Sequence, residues 1–204
     1  MSVKNVEHKF IVPNSVEVRD YQVNLANQAK NENCLIILPT GLGKTVVALH
    51  VIADYLAKGT GGVLFLAPTK VLVNQHYEFL KSTLTIDDIS LITGEDLLTK
   101  RKKLWINSVI CATPEITRND IARNIVDTKQ FNLIIFDEAH RAVGDYSYVE
   151  IAERLGGSDI RLLGMTATLP SEKEKAKEIC DNLHVRSLAE RNDSSPDVKP
   201  YIQE

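Results

Sequence analysis

The stretch Leu38-Pro-Thr-Gly-Leu-Gly-Lys-Thr45 decides how this chain folds, because it joins a short apolar run to a segment of helical period. The run Cys34–Leu38 is apolar at every position, which is typical of a strand buried on both faces of a parallel sheet. Glycines let the loop backbone curl so that its N–H groups face a phosphate. The following helix adds the positive end of its dipole. We therefore expect Lys44 to reach the β- and γ-phosphates of a nucleotide and the Thr45 hydroxyl to ligate Mg²⁺.

The loop departs from the full phosphate-loop pattern at one position, because that pattern has glycine where this chain has Leu38. A glycine loop that stands before a helix by chance is the alternative interpretation. The strand–loop–helix context favours nucleotide binding. The residues expected to contact the nucleotide here are Leu38, Pro39, Thr40, Gly41, Leu42, Gly43, Lys44 and Thr45.

The wider chain alternates short apolar runs with longer segments of helical period. This alternation predicts an α/β fold with a mostly parallel sheet, helices on both faces and ligands at the carboxyl ends of the strands. Expected strands are Cys34–Leu38, Gly62–Ala67, Ile89–Ile92, Val109–Ala112, Leu133–Phe136 and Arg161–Met165. Expected helices are Tyr21–Lys30, Thr45–Lys58, Val71–Ser82, Asp96–Trp105, Glu115–Val126, Tyr148–Leu155 and Ser171–Leu183, the last with a capping box at its start.

A second chemical element is Leu133-Ile-Ile-Phe-Asp-Glu-Ala-His140. An apolar strand delivers Asp137 and Glu138 at its carboxyl end, on the edge where the phosphate loop is also expected. We expect Asp137 to hold Mg²⁺ and Glu138 to polarise the attacking water as general base. An acidic pair after a strand is weak evidence alone, but an ATP hydrolase needs both elements in this order.

Composition limits the classes of partner. The 204 residues are 44% hydrophobic and carry a net charge of -3, so there is no overall attraction to nucleic acid, and contacts with phosphate must be local. Cys34, Cys111 and Cys180 are widely spaced, and we expect reduced thiols in a reducing compartment. We expect no signal peptide and no membrane span. The expected location is the cytoplasm, with the nucleoid in a prokaryote or the nucleus in a eukaryote.

The combination Asp137-Glu-Ala-His140 resembles the second motif of superfamily 2 helicases of the DEAH/DExH type. This resemblance implies a RecA-like P-loop NTPase domain over residues 1–185, with residues 186–204 starting a linker to a second RecA-like domain of the same polypeptide. Arg19-Asp-Tyr-Gln22 resembles the family's adenine-reading element, in which Gln22 bonds the base edge and Arg19 assists. Otherwise, Gln22 would be a solvated surface residue.

Other segments resemble the family's nucleic-acid-contacting and coupling motifs in order along the chain. Ala67-Pro-Thr-Lys-Val-Leu-Val-Asn-Gln-His76, Ile92-Thr-Gly-Glu95 and Ala112-Thr-Pro-Glu115 resemble loops that grip the backbone. Met165-Thr-Ala-Thr-Leu169 resembles the motif that couples hydrolysis to domain movement. The implied nucleic-acid contacts are Pro68, Thr69, Lys70, Gln75, Thr93, Gly94, Thr113 and Pro114, and the implied coupling residues are His140, Thr166 and Thr168. Thr113 and Pro114 also have a simpler explanation as the cap and first turn of a helix.

Within the superfamily, the phosphate loop, Asp137-Glu-Ala-His-Arg-Ala142 and Asp197-Val-Lys-Pro-Tyr201 resemble the branch of the archaeal Hef helicase-nuclease and the Fanconi anaemia M-type DNA translocases. That branch implies a monomeric, ATP- and Mg²⁺-dependent motor on forked or branched DNA in replication repair. A duplex-RNA-dependent ATPase or RNA helicase, and a non-catalytic nucleotide-binding module, are the alternatives. Because the second domain supplies arginine fingers in this family, we expect the isolated chain to be nearly inactive as a hydrolase and unable to unwind a duplex.

Overall fold

The computed structural model describes residues 2–157 and 159–202, which form a three-layer α/β domain around a seven-stranded sheet. The strands in chain order are β1 (Cys34–Ile37), β2 (Gly62–Leu66), β3 (Ile89–Ile92), β4 (Val109–Ala112), β5 (Phe131–Asp137), β6 (Arg161–Thr166) and β7 (Ser187–Glu190). The helices are α1 (Asp20–Asn31), α2 (Lys44–Lys58), α3 (Lys70–Thr83), α4 (Leu98–Leu104), α5 (Pro114–Ala122), α6 (Ser147–Leu155) and α7 (Lys173–Asn182).

All pairings in the sheet are parallel, and the strand order is β3-β4-β2-β5-β6-β1-β7. The carboxyl ends of all seven strands therefore meet at one edge. At that edge β1, β6 and β5 lie side by side on one half, and β2, β4 and β3 lie side by side on the other. The border between the halves runs between β5 and β2, which pair directly.

The core is divided by the sheet into two layers, because successive strand residues point to opposite faces. One layer packs the strands against α1, α2 and α3, and the other packs them against α5, α6 and α7. The burial of every residue of β1, β4 and β5 explains why those runs are apolar at consecutive positions. The expected doubly wound architecture is confirmed, and the sheet of the described residues is wholly parallel.

The carboxyl-terminal segment departs from the expected linker. Residues 187–190 form β7, which pairs in parallel with β1 as an edge strand. Beyond it, Val198 is fully buried and the Tyr201 ring packs edge-on against Tyr21 at 5.7 Å between centroids. This segment therefore packs on α1 and β1 of the domain.

Two helix ends also differ from expectation. The helix α7 begins at Lys173 with Glu172 as N-cap and no side-chain cap hydrogen bond among the described residues, so the capping box expected at Ser171 is wrong. The helix α5 ends at Ala122 and not at Val126, because Asn124 takes a left-handed backbone with φ 57°. No helix in the described ranges has the length and apolarity needed to cross a membrane.

Candidate functional site

The phosphate loop connects β1 to α2 at the carboxyl edge of the sheet. Gly41 and Gly43 have φ values of 94° and 81°, in the left-handed region that glycine adopts without steric cost. Gly43 is the N-cap of α2, so the first free N–H groups of a 15-residue helix begin directly at the loop. This geometry fits an anion such as a nucleotide phosphate, since backbone donors and the helix dipole point at the same place.

The loop is closely covered on one side by Gln22 of α1. The Gln22 amide donates a hydrogen bond to the Leu42 carbonyl at 3.1 Å, and the Tyr21 hydroxyl donates to the same oxygen at 2.7 Å. A Cβ atom at Gly43 would collide with Nε2 of Gln22. Gln22 is only 3% exposed. The alternative interpretation, in which Gln22 is a solvated surface residue, is therefore wrong.

Leu38 explains the departure from the glycine pattern. Its side chain is fully buried in the core, and its N–H continues the sheet by donating to the Thr166 carbonyl at 3.0 Å. Position 38 thus directly follows β1, where a core side chain fits. The Leu38 carbonyl remains part of the loop, because Lys44 Nζ lies 3.5 Å from it.

A cleft of about 290 Å³ lies between the loop and α1. It is lined by residues from both adenine-reading and phosphate-loop segments, and also by one aromatic ring of α3. These residues include Arg19, Gln22, Gly41, Leu42, Gly43 and Phe79. The structure therefore brings Arg19 and Gln22 next to the loop, as the sequence predicts, and adds Phe79 as a flat apolar wall suited to a base.

Thr45 and Asp137 lie on either side of one imidazole ring. Nε2 of His76 is 2.7 Å from Oδ2 of Asp137, and Nδ1 is 3.4 Å from the Thr45 hydroxyl oxygen. The hydroxyl and the carboxylate are hard oxygen donors, the ligand type that Mg²⁺ prefers. The donor set at this point of the sheet edge therefore fits that ion.

Glu138 occupies a strained backbone position. Its φ and ψ are 53° and 46°, a left-handed conformation that is uncommon outside glycine. Such strain persists only where the surroundings hold it, and it clusters at functional sites. Here the preceding residue is anchored, because the buried Tyr148 hydroxyl donates to the Asp137 carbonyl at 2.7 Å. Burial raises the pKa of Tyr148 well above its ordinary value, which keeps this phenol a donor.

Of the three expected coupling residues, His140 and Thr166 are in contact through their side chains. Nδ1 of His140 lies 3.0 Å from the hydroxyl oxygen of Thr166, which in turn donates to the Thr168 carbonyl at 2.9 Å. Nε2 of His140 is 3.5 Å from the Glu138 carboxylate. Thr168 takes part through its backbone carbonyl and N–H.

The candidate nucleic-acid contacts lie at the ends of β2, β4 and β3, on the other half of the same edge. Thr69 is the exposed N-cap of α3, where its hydroxyl accepts the Leu72 N–H at 3.2 Å. Lys70 forms an exposed ion pair with Glu95 across to the next loop. Exposed candidates on this half are Thr69, Lys70, Gln75 and Gly94, with Pro68 and Thr113 half-buried.

Two of these candidates are buried, which corrects their expected role. Thr93 is 7% exposed and Pro114 is buried in the first turn of α5. Little of either side chain is therefore accessible at the surface. The simpler explanation of Pro114 as a helix-start residue is confirmed, while Thr113 is the N-cap by position and makes no side-chain cap bond among the described residues.

Sequence reasoning missed the contacts of His76 and a buried ion pair between α4 and α5. The Arg101 guanidinium donates to Asp120 at 2.8 and 3.0 Å, and the Trp105 indole N–H donates to the same carboxylate at 2.8 Å. This network joins α4 to α5, the helices that follow two of the candidate contact loops. A basic helix carries no local sign that one of its side chains turns inward, so the sequence could not single out Arg101.

Known proteins resemble this chain in sequence and in fold. The family model described as DEAD/DEAH box helicase matches residues 19–176. The Hef helicase domain of Pyrococcus furiosus, known from a crystal structure, is 40% identical, with a TM-score of 0.87 over 92% of this chain and 41% of that one.

Among named relatives, a Methanocaldococcus jannaschii protein provisionally called an ATP-dependent RNA helicase is 40% identical over 97% of this chain and 26% of its own length. The ATP-dependent DNA helicase MPH1 of Scheffersomyces stipitis is 37% identical over 96% of this chain and 19% of its own length. The ATP-dependent DNA helicase fml1 of Schizosaccharomyces pombe is 33% identical over 98% and 25%. The chain thus spans about a quarter or less of each of these relatives.

The matched range runs from Arg19, beside the adenine cleft, through both halves of the sheet edge to α7. It includes the phosphate loop, the Asp-Glu-Ala-His segment and the Thr-Ala-Thr segment described above. The chain therefore belongs to the DEAD/DEAH box helicase family.

Proposed function

We propose that this domain is the ATP-hydrolysing half of a motor that moves along or remodels forked or branched DNA. One observation supports the proposal: a single sheet edge carries the phosphate loop and the Asp-Glu-Ala-His and Thr-Ala-Thr segments after β1, β5 and β6, and the loops with the candidate nucleic-acid contacts after β2, β3 and β4. An ATP-driven nucleic-acid motor needs these two surfaces on one rigid support, so that a change at one reaches the other.

Each residue of the proposed nucleotide site has its own part in ATP binding or hydrolysis. Lys44 and the loop N–H groups bind the phosphates, while Thr45 and Asp137 hold Mg²⁺, which neutralises charge on the phosphate oxygens when bound. Glu138 orients and deprotonates the attacking water, and its strained backbone fixes where the carboxylate is presented. His140 carries the state of this loop to Thr166 at the end of β6.

The choice of DNA is supported by the relatives. Two of them are named as ATP-dependent DNA helicases, and the Hef helicase domain has nearly the same fold at 40% identity. We further propose that a second RecA-like domain of the same polypeptide completes the ATP site and the nucleic-acid groove. Such a domain would supply an arginine finger, which is worth about 10³–10⁵ in rate in related phosphoryl-transfer enzymes.

An RNA substrate is the second candidate, and one observation favours it. The Methanocaldococcus jannaschii relative, at 40% identity, is provisionally named an RNA helicase. Backbone contacts by loops such as Thr69-Lys70 carry little information about sugar or sequence. The 2′-hydroxyl contacts that distinguish RNA from DNA are therefore the feature to test.

Equilibrium binding tests the proposal on the chain itself. Fluorescently labelled ADP should bind in the presence of Mg²⁺, and the Lys44→Ala variant should abolish tight binding because the phosphates lose their cation. Labelled forked DNA, linear duplex DNA and duplex RNA would be compared at one stated salt concentration, since phosphate binding is salt-dependent. Preference for the fork supports the proposal, preference for RNA supports the second candidate, and no nucleotide binding would contradict both.

A further inference from the structure

A buried histidine of α3 connects the two residues that fit a metal ion. His76 lies between Asp137 and Thr45, at 2.7 Å and 3.4 Å from their side-chain oxygens. The side chains of His76 and Asp137 are only 11% and 6% exposed. Contacts between buried polar groups are stronger than those in water, and they hold geometry more tightly.

The position of the ring is fixed by packing as well as by these bonds. The His76 ring lies against the buried Phe65 ring of β2, with centroids 4.5 Å apart and planes inclined by 33°. On α3, Val73 and Leu80 are buried on the same helical face, one turn to either side. The helix therefore presents the imidazole to the sheet edge with little freedom to rotate.

The bonding pattern assigns a role to each ring nitrogen. A carboxylate accepts hydrogen bonds and donates none, so Nε2 carries the hydrogen and donates to Asp137. In the neutral ring Nδ1 is then an acceptor for the Thr45 hydroxyl. This arrangement turns the hydroxyl hydrogen toward the ring and leaves the oxygen lone pairs of Thr45, and the second oxygen of Asp137, available for a cation.

We infer that His76 is a positioning residue of the nucleotide site, which holds Asp137 and Thr45 in the relative orientation that binds Mg²⁺ with the nucleotide. The inference rests on the proposed function, because it assigns a part in that same site. Groups that orient metal ligands in this way commonly matter nearly as much as the ligands, and their loss costs about 10–100-fold in metal affinity.

Three substitutions separate the two bonds. His76→Phe keeps a planar ring against Phe65 and removes both bonds. His76→Gln places an amide N–H near the position of Nε2 and retains the bond to Asp137, whereas His76→Asn places an amide near Nδ1 and retains the bond to Thr45. His50→Phe is the matched control, because His50 is a half-buried histidine of α2 outside the site.

The experiment measures binding of labelled ADP to the 204-residue chain with EDTA and across a Mg²⁺ titration. We expect His76→Phe to lower the Mg²⁺ affinity of the nucleotide complex by about 10–100-fold, with metal-free ADP affinity unchanged. His76→Gln should retain most of the Mg²⁺ affinity and His76→Asn less, because the shorter bond is the one to Asp137. His50→Phe should match the wild type in both measurements.

Several outcomes would overturn the inference. Unchanged or increased Mg²⁺ affinity in His76→Phe would mean that the histidine does not prepare the ligands. Equal losses with and without Mg²⁺ would indicate only a general structural role. If thermal unfolding shows that His76→Phe does not fold, the comparison of His76→Gln with His76→Asn decides, and equal Mg²⁺ affinities in the two would contradict the inference. A wild-type chain that binds ADP without any Mg²⁺ dependence would remove the proposed metal site itself.

Discussion

Nδ1 of His140 lies 3.0 Å from the hydroxyl oxygen of Thr166, which ties the loop after β5 to the end of β6. The single hydroxyl hydrogen of Thr166 is directed to the Thr168 carbonyl at 2.9 Å, so His140 is the donor in the bond between them. Thr166 is fully buried, so bulk water does not compete for these hydrogen bonds. We propose that this bond passes a shift of the Asp-Glu-Ala-His loop to the segment that follows β6.

Thr166→Val tests this connection, since it keeps the shape of the side chain and removes the hydroxyl. We expect ADP affinity to be retained and nucleic-acid-stimulated ATP hydrolysis by the full-length polypeptide to fall by about tenfold, because each hydrogen bond contributes about 0.5–1.5 kcal/mol. The measurement is steady-state ATP hydrolysis with and without nucleic acid. Thr166→Ser restores the hydroxyl and should restore stimulation; normal stimulation in Thr166→Val would show that the bond carries no coupling.

Gly43→Ala should weaken nucleotide binding by more than about tenfold. The added Cβ would meet Gln22 Nε2, and an alanine at φ 81° carries about 1–2 kcal/mol of steric cost. Gly59→Ala is the matched control, because Gly59 has φ 65° at the end of α2 but open space around its Cβ position. The control should lose some thermal stability and keep its ADP affinity. Equal ADP affinities in the two variants would contradict a tight fit between the loop and Gln22.

Glu138→Gln should leave nucleotide binding intact and stop hydrolysis by the full-length polypeptide. The amide keeps the size of the side chain but cannot accept the proton of the attacking water. Single-turnover hydrolysis alongside ADP binding measures both effects. Full turnover in this variant would place the general base elsewhere.

Asp120→Asn should strongly destabilise the domain, although Asp120 lies outside the proposed nucleotide site. Asp120 is fully buried, and its hydrogen bonds to Arg101 raise the pKa of that guanidinium. Neutralising one partner leaves a buried charge uncompensated, at a cost of about 3–5 kcal/mol in the free energy of unfolding. Chemical denaturation measures this free energy of unfolding. The control is Asp181→Asn, which removes an exposed ion pair with Lys177 and should cause no measurable change in stability. A small effect at Asp120 would mean that Arg101 finds other partners.

Much of the fold was predictable because its signals are local. Fully buried parallel strands are apolar at consecutive positions, and the phosphate loop has to follow such a strand and begin a helix. The strand β7 was missed because only Ala189 of its four residues is buried, as expected of a short edge strand, so its composition resembles a linker. Leu38 departed from the glycine pattern for a reason that appears only in three dimensions, since its side chain completes the core.

The positions of Asp137, Glu138 and His140 at the sheet edge were predictable for the same reason, because all three lie at or just after the end of β5. The contacts of His76 were not predictable, because its partners lie 31 and 61 residues away and meet it only in the folded domain. The orientation of Arg101 likewise depends on α5, which the local sequence of α4 does not encode.

The most direct test of the central claim is Mg²⁺-dependent ATP hydrolysis by the full-length polypeptide that contains these residues. Rates would be measured without nucleic acid, with forked DNA and with duplex RNA, at one salt concentration. The proposed function predicts stimulation chiefly by the fork, with Glu138→Gln inactive under the same conditions. Stimulation chiefly by RNA would contradict the choice of DNA, and the absence of stimulation by either would contradict a nucleic-acid motor.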